Sequence, residues 1–249
     1  MKPPGRKGDR HSAGHQGKPR RFSRRLAILY EDDAVVAVDK PPGLLAVPVA
    51  DSEAPSALSL LAAELKRKRQ QVFVVHRIDR FTSGVLLFAK TPSDREALIQ
   101  QFLSHSPLRQ YLAVVRGHLT SKTGTLVHHL QREGMFQQLR KPGDSRATRA
   151  ELSYSVERSL RAASLLRVTL ITGLQNQIRV QFFAISHPVI GDRKYCPKEA
   201  LERRIARVAL HASHLEFIHP RSGESISLDC GPPSDFNALV QALSPSRAK

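Results

Sequence analysis

Asp79 is the residue whose neighbours best equip it for chemistry. It lies in His76-Arg77-Ile78-Asp79-Arg80-Phe81-Thr82-Ser83-Gly84, a carboxylate with an arginine on either side. Flanking cations favour the ionised form, so the segment predicts a carboxylate at neutral pH. The apolar run Val72-Phe73-Val74-Val75 precedes it, and Val85-Leu86-Leu87-Phe88-Ala89 follows the turn-forming Thr82-Ser83-Gly84. Two buried strands framing a short polar segment would hold Asp79 at a sheet edge. A charged carboxylate on a rigid frame is a candidate nucleophile.

The elements that must position Asp79 can be read around it. Ala34-Val35-Val36-Ala37-Val38 predicts a strand, ended by Lys40-Pro41-Pro42-Gly43, which cannot continue a ladder. Pro55 suits the first turn of a helix running to about Arg69, with Leu58, Leu61, Ala62 and Leu65 on one face. Ser93 and Glu96 predict a capping box opening a helix through about Ser104. Strands are predicted over residues 110–115, 148–156, 165–171, 209–217 and 225–229. Residues 118–146 are polar and turn-rich, with short strand candidates only. Residues 176–186 predict a helix with Ile178, Phe182 and Ile185 on one stripe, stopped by His187-Pro188, and residues 235–243 predict the last helix. Strands outnumber helices and short turns join several neighbours. The expected fold class is α+β: a mixed, largely antiparallel sheet with helices packed on it.

Composition narrows the partner. The 249 residues carry 41% apolar side chains, enough for a real core, and a net charge of +17. Residues 1–25 hold nine Lys/Arg against Asp9 and supply +8 of that charge, leaving +9 on the body. The first segment is rich in Gly, Pro, Arg and Lys and is predicted to be a disordered basic tail before one catalytic domain over 26–249. A basic body suits a nucleic-acid backbone better than a small neutral metabolite. No long basic amphipathic helix or membrane-length apolar run is present, so no membrane partner is expected. Cys196 and Cys230 form no zinc spacing and read as reduced thiols in a cytoplasmic protein. His128-His129, His211, His214 and His219 read as core or surface histidines, since His211 and His214 on one strand would face opposite ways. No metal or other cofactor is expected.

The motifs together resemble a known family. The segment from His76 to Gly84 is similar to the His-Arg-Leu-Asp-x-x-Thr-Ser-Gly signature of the RluA-type pseudouridine synthases. Asp39-Lys40-Pro41-Pro42-Gly43-Leu44 resembles the family's Lys-Pro-x-Gly segment, and Tyr111-Leu112-Ala113-Val114-Val115 its tyrosine strand. Asn176-Gln177-Ile178-Arg179-Val180, followed by His187-Pro188-Val189-Ile190-Gly191-Asp192, resembles its Gln-Ile-Arg helix and His-Pro-x-x-Gly-Asp turn. Leu210-His211-Ala212 and Phe217-Ile218-His219-Pro220 match its C-terminal strands. The likeness extends over about residues 28–240.

The resemblance implies an isomerase that converts uridine in ribosomal or transfer RNA to pseudouridine without a cofactor, around a central active-site cleft. It implies Asp79 as the catalytic aspartate, Arg179 as its arginine partner and Tyr111 as the tyrosine packed against the target base. It further implies that Arg77 fills the space left when the uridine leaves the stack. Arg80, Thr82, Gln177 and Ile178, which belong to the same motifs, are expected at the substrate. Whether Asp79 attacks the sugar, attacks the base or removes a sugar proton stays open. A monomer acting on RNA rather than DNA is expected.

One departure stands at the entrance to the Gln-Ile-Arg helix. The family pattern there is Gly-Arg-Thr-His-Gln-Ile-Arg, whereas this chain has Gly173-Leu174-Gln175-Asn176-Gln177-Ile178-Arg179. Asn176 is still a residue type able to cap a helix. The alternative reading is a catalytically impaired relative that binds RNA and acts as a folding factor. A hydrolase with one carboxylate nucleophile lacks an acid partner.

Overall fold

Among the described residues, eleven strands join one open sheet. The computed structural model describes residues 26–50, 52–134, 136–196 and 201–245; the predicted basic tail over residues 1–25 lies outside them. The first half of the chain gives β1 (Ala27–Glu31), β2 (Val35–Lys40), α1 (Ala57–Lys66), β3 (Phe73–Val74), β4 (Ser83–Ala89) and α2 (Pro92–Leu103). Then come β5 (Leu108–Arg116), β6 (Thr123–Glu133), β7 (Phe136–Arg140), β8 (Thr148–Leu160) and β9 (Ala163–Leu170). The chain closes with α3 (Gln177–Ala184), β10 (Leu210–Ile218), β11 (Ser225–Asp229) and α4 (Ser234–Leu243). The strand order is β1-β2-β4-β10-β5-β9-β8-β6-β7, with β3 on β4 and β11 on β10. Among these pairings β4 with β10 is parallel and the others are antiparallel, as the α+β reading expected.

The continuous apolar runs of β2 and β4 reflect a sheet covered on both faces. Val35, Ala37, Val85, Leu87 and Ala89 pack toward Leu98 of α2. Their alternates Val36, Val38, Leu86 and Phe88 pack toward Leu61 and Leu65 of α1. The period of two thus splits one run between two cores. Each fully buried Val, Leu or Phe among these contributes roughly 1.5–3 kcal/mol. Leu44, Val85, Leu86 and Leu210 are all buried.

β4 and β10 meet where the chain leaves the Asp79 loop. Gly84 pairs with Ala212 there and has φ +108°; a Cβ on it would lie 2.1 Å from the Ala212 carbonyl oxygen. Only glycine permits that approach.

Several boundaries differ from the sequence reading. Helix α1 begins after Ser56, which forms a capping box with Ser59, so Pro55 stands outside the helix. Helix α2 is capped by Thr91, whose Oγ1 accepts from the Asp94 N–H at 3.1 Å, and the expected Ser93–Glu96 box is not made. Pro92 opens that helix, and a proline in the first turn requires the cap to precede it. The strand before Asp79 shrinks to Phe73–Val74, half-buried. Residues 118–146, which promised only short strands, form the long β6 and its hairpin partner β7. That hairpin lies at the sheet's edge, with most of its side chains partly or fully exposed, and edge exposure removes the apolar alternation that would have marked it.

Candidate active site

A cleft of about 550 Å³ opens where the Asp79 loop, β5 and the start of α3 converge. Asp79 and Arg179, 100 positions apart, meet on its wall: Arg179 Nη1 donates to Asp79 Oδ2 at 2.9 Å. Neither flanking arginine bonds to Asp79. Arg77 is exposed on the cleft wall, whereas Arg80 turns away to donate from Nε to the Gly43 carbonyl at 3.0 Å. The cation that pairs with Asp79 therefore comes from α3.

Arg179 is itself held in place. Its Nε and Nη2 donate to the two Asp192 oxygens at 2.7 and 2.8 Å, and the Asp192 carboxylate is 1% exposed. Asp192 also accepts from the Lys194 and Tyr195 backbone N–H groups, which fixes it in its turn. Burial lowers the proton affinity of Arg179, but hydrogen bonding and charge from Asp192, then from Asp79, outweigh it and raise the pKa. Asp192 had been noted in sequence as part of a motif, with no role attached.

Asn176 departs from its expected part. It adopts the left-handed conformation, φ 55°, and makes no side-chain cap bond to α3. Its Oδ1 instead accepts from Arg179 Nη1 at 2.7 Å. Asparagine is among the few residue types that tolerate this backbone. The segment that departs from the family pattern thus supplies a further contact to Arg179.

Gln177 and Ile178 both reach the cleft wall. Gln177 is committed to the loop before α3: its Oε1 accepts from Thr172 Oγ1 and the Leu174 N–H, and its Nε2 donates to the Glu151 carbonyl. Ile178 is 4% exposed and belongs to the same core cluster as Tyr111 and Phe182. Thr82 also lines the cleft, and its buried Oγ1 has no hydrogen-bond partner.

Tyr111 stands on β5 with its ring buried against that core. Burial pushes its hydroxyl up to about 12, against the opposing charge of Arg109 and with a smaller push from Asp79. It is a proton donor at neutral pH. His76 is a neutral wall residue: burial, then the Arg109 charge, push its pKa down to about 3. Its Nε2 accepts from the Leu87 N–H at 3.0 Å, and its ring stacks on Phe102 at 4.6 Å.

Beneath the loop, Lys40 is fully buried and donates to the carbonyls of Pro41, Leu44 and Arg80 at 3.0, 2.9 and 3.1 Å. The Gly43 N–H adds a bond to the Arg80 carbonyl at 2.8 Å. The Lys-Pro-Pro-Gly turn therefore braces the backbone next to Asp79. Burial pulls the Lys40 pKa down to about 7, against the opposing charge of Asp79.

The cleft is strongly cationic. Arg77, Arg109, Arg132, Arg149 and Arg179 line it, and Asp79 is the single acid among the described lining residues. Arg132 and Arg149 come from β6 and β8, and sequence patterning offered no signal for either. Such a wall raises the local concentration of a polyanion and suits a phosphate backbone.

Comparison with known proteins gives this geometry its context. Residues 34–184 match the family described as RNA pseudouridylate synthase. The chain belongs to the RluA-type RNA pseudouridine synthases. It is 36% identical over 241 residues to ribosomal large subunit pseudouridine synthase D of Xanthomonas campestris pv. campestris, covering 90% of this chain and 71% of the relative. It is also 36% identical over 214 residues to the dual-specificity RNA pseudouridine synthase RluA of Escherichia coli K12, covering 85% of this chain and 94% of the relative. The fold of this synthase is similar to that of human RNA pseudouridylate synthase domain containing 4, with TM-score 0.73, 22% identity and coverage of 87% and 92% of the two chains. Human RNA pseudouridylate synthase domain containing 1 gives TM-score 0.71 at 24% identity, with 92% of each chain covered. The protein is an isomerase that forms pseudouridine in RNA.

Proposed function

We propose that Asp79 starts the isomerisation on a uridine turned out of its RNA into the cleft. The observation that carries this reading is the ion pair of Asp79 with Arg179 on the cleft wall. In the reaction the uracil N1–C1′ bond breaks, the base turns while held, and a C5–C1′ bond forms. The C5 proton then leaves and N1 gains one, so the product is an isomer. Asp79 acts on the nucleotide while Arg179 holds its carboxylate, and it is the acceptor within reach for the closing proton. Tyr111 packs against the uracil and, being protonated, serves as a donor rather than a base. Arg77, exposed at the rim, fills the gap in the RNA stack.

The substrate in this reading is structured ribosomal or transfer RNA, with ribosomal RNA first. Support comes from the named activity of the large-subunit relatives and from the arginine-lined cleft. The protein acts as a cytoplasmic monomer on RNA rather than DNA, and residues 1–25 add a sequence-independent hold on the phosphate backbone. The altered entrance to α3 was the one feature favouring an RNA-folding factor without activity. Asn176 at that entrance bonds Arg179, which supports the enzyme instead.

Pseudouridine maps of ribosomal and transfer RNA from cells with and without this gene test the substrate. Loss of one or a few ribosomal sites is the expected result. Identical maps for both RNA classes would overturn the assignment.

A further inference from the structure

Among the described residues, Arg109 is a buried cation without a counter-ion. It is 8% exposed, and among the described residues its guanidinium makes a single hydrogen bond, from Nη2 to the Ile171 carbonyl at 3.1 Å. Its Nε is buried with no partner, and no carboxylate among the described residues pairs with it. By contrast, buried Arg207 donates a two-bond fork to Asp235, and part-buried Arg179 is neutralised by Asp192 and Asp79. Burying an unpaired charge is costly, so a group left this way in a cleft wall calls for an anion from outside.

We propose that Arg109 is the core of a phosphate subsite in the cleft, holding a phosphodiester of the RNA chain beside the turned-out uridine. Arg109 and Tyr111 are two residues apart on β5, on one face and about 7 Å apart along the strand. Both line the cleft that contains Asp79. A base on Tyr111 therefore places its flanking backbone near Arg109. The guanidinium is backed by the Phe102 ring at 5.8 Å, a flat support that leaves its N–H edge for oxygen. Gly173 makes the room: a Cβ there would stand 2.5 Å from Nη1. A phosphodiester is the anionic group of RNA, and its oxygens match the guanidinium fork. The competing reading is a brace for the Ile171 carbonyl and nothing more.

The inference rests on the assignment of this cleft to the target nucleotide, and binding measured without turnover separates the two. Affinity of the full chain for an unmodified transcript of large-subunit ribosomal RNA is measured across a salt series for wild type, R109Q, R109K, G173A and Asp79→Asn. R109Q should bind about tenfold more weakly, and its slope of log affinity against log salt should fall by about 0.7–0.9, the loss of one phosphate contact. R109K should keep the slope and lose part of the affinity. G173A keeps the charge but displaces the guanidinium, and should weaken binding severalfold. Asp79→Asn should retain the wild-type slope while losing turnover. Weaker binding by R109Q at an unchanged slope would place Arg109 against a neutral atom and overturn the proposal. Should R109Q fail to fold, wild-type affinity in both R109K and G173A would overturn it equally.

Discussion

Asp192 grips Arg179 with two hydrogen bonds, at 2.7 and 2.8 Å, and so presents Nη1 to Asp79 at 2.9 Å. The acid that matters to Asp79 at one remove is thus the last residue of the His-Pro-x-x-Gly-Asp turn. Asp192→Asn keeps the shape and removes the charge. It should lower kcat by about 10–100-fold through misplacement of Arg179. Asp192→Ala takes a charged partner from Arg179, whose side chain is only 12% exposed, and should also destabilise the fold by about 3 kcal/mol. Chemical denaturation beside turnover on RNA separates the effects. Wild-type kcat in Asp192→Asn would remove Arg179 placement from the reaction.

Tyr111→Phe tests the hydroxyl alone, since the buried ring is retained. Turnover should drop by about 10–100-fold with thermal stability nearly unchanged. Because burial holds this phenol near 12, wild-type kcat should show no step from Tyr111 ionising below about pH 10. A step near pH 9 that disappears in Tyr111→Phe would reverse its assignment from donor to base.

Lys40 gives a pH signature in stability. In the folded chain it loses its proton near 7, whereas the unfolded chain keeps it to about 10.5. Between those values the unfolded state binds more protons, so stability contributed by this site rises with pH. Wild type should gain on the order of 1 kcal/mol per pH unit over Lys40→Met between pH 7 and 9. Urea denaturation at each pH reads the difference. Parallel curves would show that Lys40 titrates normally.

Gly84 should not tolerate a side chain. Gly84→Ala puts a methyl against the Ala212 backbone at a positive φ, and the expected loss is about 3 kcal/mol or more, read by urea denaturation. A loss below 1 kcal/mol would mean that β4 and β10 can part without disturbing the Asp79 loop.

Much of this was legible in the chain. The alternating cores of β2 and β4 are written as apolar runs, and Asp79, Tyr111 and Arg179 sit in motifs that keep order and spacing. What stayed hidden was set by long-range geometry. The flanking arginines looked like partners for Asp79 because they are near in sequence, but the loop sends Arg80 to the Gly43 carbonyl. Asn176 looked like a helix cap by residue type, and its left-handed backbone redirects it to Arg179. Arg109, Arg132 and Arg149 belong to no motif and carried no signal of their own in the chain. Their common cleft exists only once β5, β6 and β8 lie in one sheet.

The most direct test compares wild type with Asp79→Asn on an unmodified transcript of ribosomal RNA, mapping pseudouridine by chemical labelling. The substitution keeps the side chain's shape and leaves an oxygen for Arg179. Wild type should mark defined uridines and the variant none, with RNA binding retained. The same marks from both proteins would contradict a reaction begun by the Asp79 carboxylate.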